Sequence, residues 1–270
     1  MGSVVIAERT IQYQAITSGA ARPGQRVLYV HGTGCNSDVW VPHMTAIAAA
    51  HVPVAIDLPG HGGSPGRGFR GIADYAYFVI ELAKRLGWDR FVVVGHSMGG
   101  AVALMIALHH PELLEGLGLV DTGARLRVHP ALLRGARDAA TSGRPSATDR
   151  SWAYAAATPP PVVDAVQKLT ANGDPWVTYG DWIADDTFDV MSRVKDIRVP
   201  TVVVCGAEDR LTPVRNHQFL AAQIAGARLT IIEGAGHWVF WEQPEAFTRT
   251  VRDFLDGLPS SPAQITRSSP

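Results

Sequence analysis

Apolar and polar positions alternate at the start of the chain, through Val4 and Ile6 and then Ile11, Tyr13 and Ala15. A period of two predicts a short antiparallel hairpin. Three continuous apolar runs follow, Val27 to Val30, Val52 to Leu58 and Phe91 to Val94. Each is short, bounded by Gly, Pro or charge, and rich in β-branched residues, the pattern of parallel strands buried on both faces. Leu117 to Val120, Thr201 to Cys205 and Arg228 to Ile232 read the same way. Helical spacing lies between them. Ile72, Tyr75, Val79, Leu82, Ala83 and Leu86 share one face, with Gly87 where a C-cap belongs. Ala101 to Leu108, Val214 to Ile224 and Pro244 to Leu255 complete the alternation. It predicts an α/β fold: a doubly wound, mostly parallel sheet with helices on both faces.

The rhythm breaks between Thr122 and Lys195, where no strand is convincing and where Trp152, Trp176 and Trp182 stand. Arginines load the first half (Arg125, Arg127, Arg134, Arg137, Arg144 and Arg150) and aspartates the second (Asp174, Asp181, Asp185, Asp186 and Asp189). The plain explanation is solvated helix faces that attract one another. The functional one is a helical cap, inserted after the sixth strand and covering an active site. The expected division is core over 1–121, cap over 122–195, core again over 196–258, and a Ser/Pro-rich tail over 259–270 expected to be disordered.

Bulk properties narrow the choice. The 270 residues suit one large domain with an inserted subdomain, and 46 % hydrophobic residues can fill its core. A formal net charge of −1 offers no overall field for nucleic acid or an anionic membrane. Two cysteines, Cys35 and Cys205, make no disulfide framework and share no metal-ligand spacing. The chain opens without a signal-peptide pattern and has no apolar run long enough to span a bilayer, so a cytoplasmic protein is expected.

The chemistry gathers at strand ends. The run Phe91 to Val94 leads directly into Gly95-His96-Ser97-Met98-Gly99 and then an apolar helical stretch. A G-x-S-x-G between strand and helix is a nucleophile elbow, whose tight turn needs small neighbours on both sides of the serine. With 27 glycines the pattern can also arise as an ordinary loop, but its context weighs against that. Serine near neutral pH needs a base. Among ten histidines, His237 stands just after the last strand in a glycine-flexible loop, although a lone loop histidine is more often a surface residue. Asp209 follows the strand ending at Cys205 and is the expected acid; Asp121, also at a strand end, competes with it, and Asp209 is equally suited to capping the next helix. Glu208 should point elsewhere.

Ser97, Asp209 and His237, in that order, together with His31-Gly32-Thr33-Gly34 and the D-x-x-G-x-G-x-S turn from Asp57 to Ser64, resemble the α/β-hydrolase superfamily, in particular its serine carboxylesterase-like members. The likeness runs to about Leu258. It implies Ser97 as nucleophile, His237 as base, Asp209 as its orienting acid, and an oxyanion hole formed by the backbone N–H groups of Thr33 and Met98. It implies no cofactor and no metal, a small-molecule ester as partner, and cleavage through an acyl-enzyme. Gly32, Trp176 and Trp238 are the expected pocket residues, with Trp40 and Met98 divided between pocket and core. Apolar cap residues (Val162, Val163, Val166, Leu169 and Trp176) point to an apolar acyl or alcohol group of small to medium size. The serine at the elbow argues against epoxide or haloalkane chemistry. C–C bond hydrolysis of a vinylogous diketo acid, with Arg125, Arg127 or Arg134 as its cap cation, stays open. So do lactone and aminopeptidase chemistry, and a ligand-binding role without turnover.

Overall fold

The computed structural model describes residues 1–17, 24–143, 151–171 and 173–259. The expected tail over 260–270, with Arg144 and Arg150, lies outside them.

The alternating N-terminus forms the hairpin β1 (Gly2–Ile6) and β2 (Arg9–Ala15). Six strands follow: β3 (Arg26–Val30), β4 (Val52–Ile56), β5 (Phe91–His96), β6 (Leu114–Val120), β7 (Thr201–Gly206) and β8 (Arg228–Ile232). Together they make one eight-stranded sheet in the order β1-β2-β4-β3-β5-β6-β7-β8. Only the β1/β2 and β2/β4 pairings are antiparallel. β5 and β6 are buried along their whole lengths, as runs such as Phe-Val-Val-Val require. Strand order reverses at β3, because β4 lies on one side of it and β5 on the other. In an open α/β sheet that switch point opens the crevice in which ligands bind, beyond the carboxyl ends of the strands. The loops after β3 and β5 therefore meet there.

Helices cover both faces. The chain order gives α1 (Val41–Ile47), α2 (Ile72–Arg85) and α3 (Met98–His109) before β6. Next come α4 (Pro130–Ser142), α5 (Pro160–Thr170) and α6 (Pro175–Thr187), all between β6 and β7. Finally α7 (Val214–Gln223), the single-turn α8 (Val239–Glu242) and α9 (Pro244–Asp256) complete it. One core layer joins α2, α3 and Leu220 of α7 to the sheet; the other joins α1 and α9. α9 docks through Phe247, Val251, Phe254 and Leu255, all buried. Each such side chain contributes about 1.5–3 kcal/mol when removed from water. α3 is apolar all round because it is wedged between the sheet and α2.

The stretch between β6 and β7 is helical, and α4 packs on α6. Attraction between its two charge blocks is real at one end, where Arg125 pairs with Asp189 at 2.7 Å and the Arg127 guanidinium donates to the Asp186 carbonyl. Asp181 and Asp185 depart from the solvated-face expectation. Both are buried, because this side of α6 faces the loops at the sheet edge rather than water. Among the described residues no helix is long and apolar enough to cross a membrane.

Candidate active site

Ser97 sits between β5 and α3 with φ 54° and ψ −119°, a left-handed backbone in a non-glycine residue. Such strain costs on the order of 1–3 kcal/mol and persists only where surroundings impose it. Those surroundings are visible. A Cβ on Gly95 would lie 2.0 Å from the Gly99 carbonyl oxygen, and one on Gly99 would lie 2.3 Å from that of Val30. Both glycines of the motif are thus sterically obligatory. The turn is tied down by Ser97 N–H to the Val120 carbonyl at 3.0 Å and by the Thr122 hydroxyl to the Ser97 carbonyl at 2.8 Å.

Asp209 and His237 converge from the loops after β7 and β8. His237 Nδ1 donates to Asp209 Oδ2 at 2.9 Å, so in the neutral ring Nε2 is the unprotonated, basic nitrogen. Asp209 also accepts from the Leu211 and Thr212 N–H groups at 2.8 and 2.9 Å and from the Thr212 hydroxyl at 2.6 Å. Its bonds go to its own loop and not to the N-terminus of α7. Burial raises the Asp209 carboxyl, but the His237 charge and these bonds outweigh it and hold the group below its ordinary value. Burial likewise pushes His237 down, yet the charge and hydrogen bond of Asp209, with Asp121 and Glu242, lift it above the usual histidine value. The two shifts describe one ion pair.

Asp121 takes another part. Its carboxyl accepts from Gly206 N–H at 3.0 Å and Val239 N–H at 3.2 Å, so it staples the acid and histidine loops together from below. Burial and the nearby Asp209 charge drive it well above the ordinary carboxylate range. Glu208 points away, accepting from Ala156 N–H at 2.9 Å. The histidine loop is braced by Glu242, which accepts from Gly236 and Trp238 N–H at 2.9 and 3.0 Å. His237 N–H donates to the Ala153 carbonyl at 2.7 Å.

The neighbouring histidines are structural. His31 bridges the Gly32 carbonyl and the Leu58 N–H. His96 donates from Nε2 to the His237 carbonyl at 2.8 Å, and burial lowers it to about 3. In the loop after β3, the N–H groups of Gly34 and Cys35 are taken by Asp181 and by the Gly32 carbonyl. The N–H groups of Thr33 and Met98 make no hydrogen bond among the described residues, and neither does the Ser97 hydroxyl.

Two cavities, of about 1030 and 760 Å³, share Ser97, Leu132, Trp152, Trp182 and Leu211 in their walls. The smaller is lined by Gly32, Thr33, His237 and Trp238 as well; the larger takes in Asp185 and, towards solvent, Arg125, Arg127, Arg210 and Arg215. Gly32 and Trp238 line the smaller cavity. Trp176 does not: it is 53 % exposed on the outer side of α6, and Trp152 and Trp182 occupy the wall in its place. Trp40 is fully buried and stacks on Phe240 with centroids 4.3 Å apart; the Met98 side chain is also core. Both cysteines are buried, and neither is in a disulfide among the described residues. Among the described residues no group of three or more His, Cys, Asp or Glu side chains could hold a metal ion. Sequence reading missed Thr212, Thr122 and Glu242, which anchor the loops, and the convergence of Asp181 and Asp185 on the loop after β3.

A strained serine elbow, an imidazole–carboxylate pair and two cavities meeting at the switch point of a parallel sheet define a hydrolase of α/β architecture. Residues 27–250 match the Alpha/beta hydrolase family, and the chain belongs to it. It is 29 % identical over 254 residues to the pimeloyl-[acyl-carrier protein] methyl ester esterase of Neisseria meningitidis, covering 90 % of this chain and 80 % of that protein. The solved structure of a thermophilic esterase superimposes with a TM-score of 0.80 at 31 % identity, covering 96 % of this chain and 98 % of that one. The enol-lactonase of Burkholderia xenovorans LB400 shares the fold, with a TM-score of 0.84 at 23 % identity over 94 % of this chain and 100 % of its own. The protein is a carboxylesterase-like hydrolase of this family.

Proposed function

We propose that this hydrolase cleaves carboxylic esters by a serine mechanism, with Ser97 as nucleophile, His237 as general base and acid, and Asp209 as the group that orients and charges the imidazole. The observation that carries this reading is the strained Ser97 opening into the same cavity as His237, whose far nitrogen is bonded to Asp209 at 2.9 Å. His237 Nε2 takes the hydroxyl proton as Ser97 Oγ attacks the acyl carbon. The carbonyl oxygen becomes an oxyanion held by the N–H groups of Thr33 and Met98, both free to donate and the latter at the N-terminus of α3, where the helix dipole favours negative charge. The alcohol leaves with the proton from His237. Water, deprotonated by the same nitrogen, then releases the acid and restores Ser97.

The stretch 122–195 acts as the cap. Leu132, Ala136, Ala139, Trp152, Tyr154 and Trp182 line the cavity against Ser97, which supports an apolar acyl or alcohol group of small to medium size. The names of the similar methyl ester esterase and thermophilic esterase agree with ester cleavage. A second reading, C–C bond hydrolysis of a diketo acid by the same serine, draws on the arginines of the larger cavity. It is less well supported, because Arg125 is engaged by Asp189 and Arg127 by the Asp186 carbonyl, while Arg210 and Arg215 are exposed at the rim.

The test is turnover of p-nitrophenyl esters from acetate to decanoate by wild type and Ser97→Ala side by side. The reading predicts a maximum at short to medium chains and a loss of about 10³-fold or more in kcat for the variant. Turnover equal in both would overturn it.

A further inference from the structure

The loop that carries Thr33 is held from outside the sheet, by one face of α6. Thr178, Asp181 and Asp185, spaced three and four residues apart, all point at it. Gly34 takes φ +66°, and a Cβ there would lie 3.0 Å from the Thr178 hydroxyl, so helix and loop are in close contact. Asp181 is fully buried and accepts three hydrogen bonds: from Gly34 N–H at 2.9 Å, His61 Nε2 at 2.8 Å and the Tyr75 hydroxyl at 2.5 Å. Asp185, 2 % exposed, accepts from the Thr33 hydroxyl at 2.6 Å, and its other oxygen, Oδ1, has no partner among the described residues.

The two carboxyl groups differ in their partners. Burial alone would lower His61, but the Asp181 charge and hydrogen bond lift it above its usual value, and the two side chains form a buried pair. Asp185 has no such cation. Asp181 and Asp186 on its own helix add negative charge, His237 across the cavity adds positive charge, and Arg125 and Arg127 are engaged by Asp189 and the Asp186 carbonyl. Burial dominates and raises Asp185 to about 8.

We infer that Asp181 and Asp185 are positioning residues through which α6 holds residues 32–35 in the geometry that aims the Thr33 N–H at the developing oxyanion. The inference rests on the serine-esterase reading given above. Asp185 serves as the neutral acid, because a carboxylate bonded to Thr33 would set a second negative charge beside the oxyanion. As pH rises through the titration of Asp185 that charge appears and kcat falls. Loss of the proton from His237 frees the base and raises kcat with pH, so its titration contributes no decline and the alkaline limb belongs to Asp185.

The experiment uses the full-length protein and its Asp185→Asn, Asp181→Ala and Thr33→Val variants. It measures kcat and KM for p-nitrophenyl butyrate from pH 5 to 10, affinity for a trifluoromethyl ketone that mimics the tetrahedral adduct, and amide hydrogen exchange of residues 32–35. Asp185→Asn is expected to abolish the alkaline limb. Asp181→Ala and Thr33→Val are expected to lower kcat about tenfold, short of the ~10²–10³-fold cost of losing a whole oxyanion donor, with KM within about threefold. Ketone affinity should fall in step with kcat, and exchange in 32–35 should quicken while that in 234–238 stays as in wild type. Should Asp181→Ala not fold, Thr33→Val removes one tie without touching α6. An alkaline limb that survives in Asp185→Asn, or unchanged exchange in 32–35, overturns the inference. Activity persisting in Ser97→Ala instead overturns the esterase reading, and the exchange result still judges the loop on its own.

Discussion

Each side of the cavity has a buried aspartate, and the two live in opposite charge states. On the histidine side Asp209 meets an imidazole, a hydroxyl and two backbone N–H groups, and it ionises below its ordinary value. On the oxyanion side Asp185 meets one hydroxyl and no cation, and burial keeps its proton on to about pH 8. Residue type and depth are the same. What differs is the number of donors aimed at the carboxylate, which is what decides whether a buried acid can keep its charge. The contrast suits the proposed chemistry: negative charge is wanted behind His237, where an imidazolium forms, and unwanted beside the Thr33 N–H, where an oxyanion forms.

The comparison can be broken hardest at Asp209. Asp209→Asn leaves an amide that can present its N–H₂ to His237, favouring the wrong tautomer, and kcat should fall by about 10³–10⁴-fold. Asp121→Asn, by contrast, disturbs a neutral staple. Thermal denaturation should show a lower Tm while kcat falls far less than in Asp209→Asn. A comparable kcat loss in both variants, with folding intact, would make Asp121 a working acid. A gentler probe is Thr212→Val, which deletes the 2.6 Å hydrogen bond to Asp209. Hydrogen bonds to charged groups are worth roughly 1.5–3 kcal/mol, so kcat/KM should drop about tenfold or somewhat more. The smallest effect is a shift in pH profile. The base must be neutral, and His237 lies above its usual value, so the acid limb of kcat/KM should sit above pH ~6.5 in wild type. Asp209→Asn, which removes the charge raising it, should move that limb down; a limb fixed in place would detach it from His237.

How much of this was written in the sequence follows the same divide between sheet edge and helical stretch. The sheet, its parallel strands and the loops after β5, β7 and β8 were legible because their constraints are local. Gly95 and Gly99 must be glycine wherever a serine turns this tightly, since any Cβ would collide with a carbonyl two to three ångströms away. His237 and Asp209 were likewise legible as polar residues one loop beyond a strand. The stretch between β6 and β7 was not. Its apolar content shows that something packs there, but not in which helical phase, so the pattern points to Trp176 while Trp182 occupies the wall. Asp181 looked like one more solvated charge among many, because its partners Gly34, His61 and Tyr75 stand 147, 120 and 106 residues away. Asp181 and Asp185, four apart on one helix face with Trp182 between them, are the one clue in the sequence. A buried carboxyl whose role is set by distant loops leaves no local pattern to read.

Active-site titration reports whether Ser97 is a nucleophile activated by His237. Wild type, Ser97→Ala and His237→Ala are treated with a fluorophosphonate probe, and the adduct is located by intact mass and peptide mapping. With Ser97 as the activated nucleophile, wild type carries one adduct per chain on Ser97, Ser97→Ala carries none, and labelling of His237→Ala is slowed by orders of magnitude. Labelling at full rate in His237→Ala, or an adduct on any other residue with Ser97 unmodified, would contradict it.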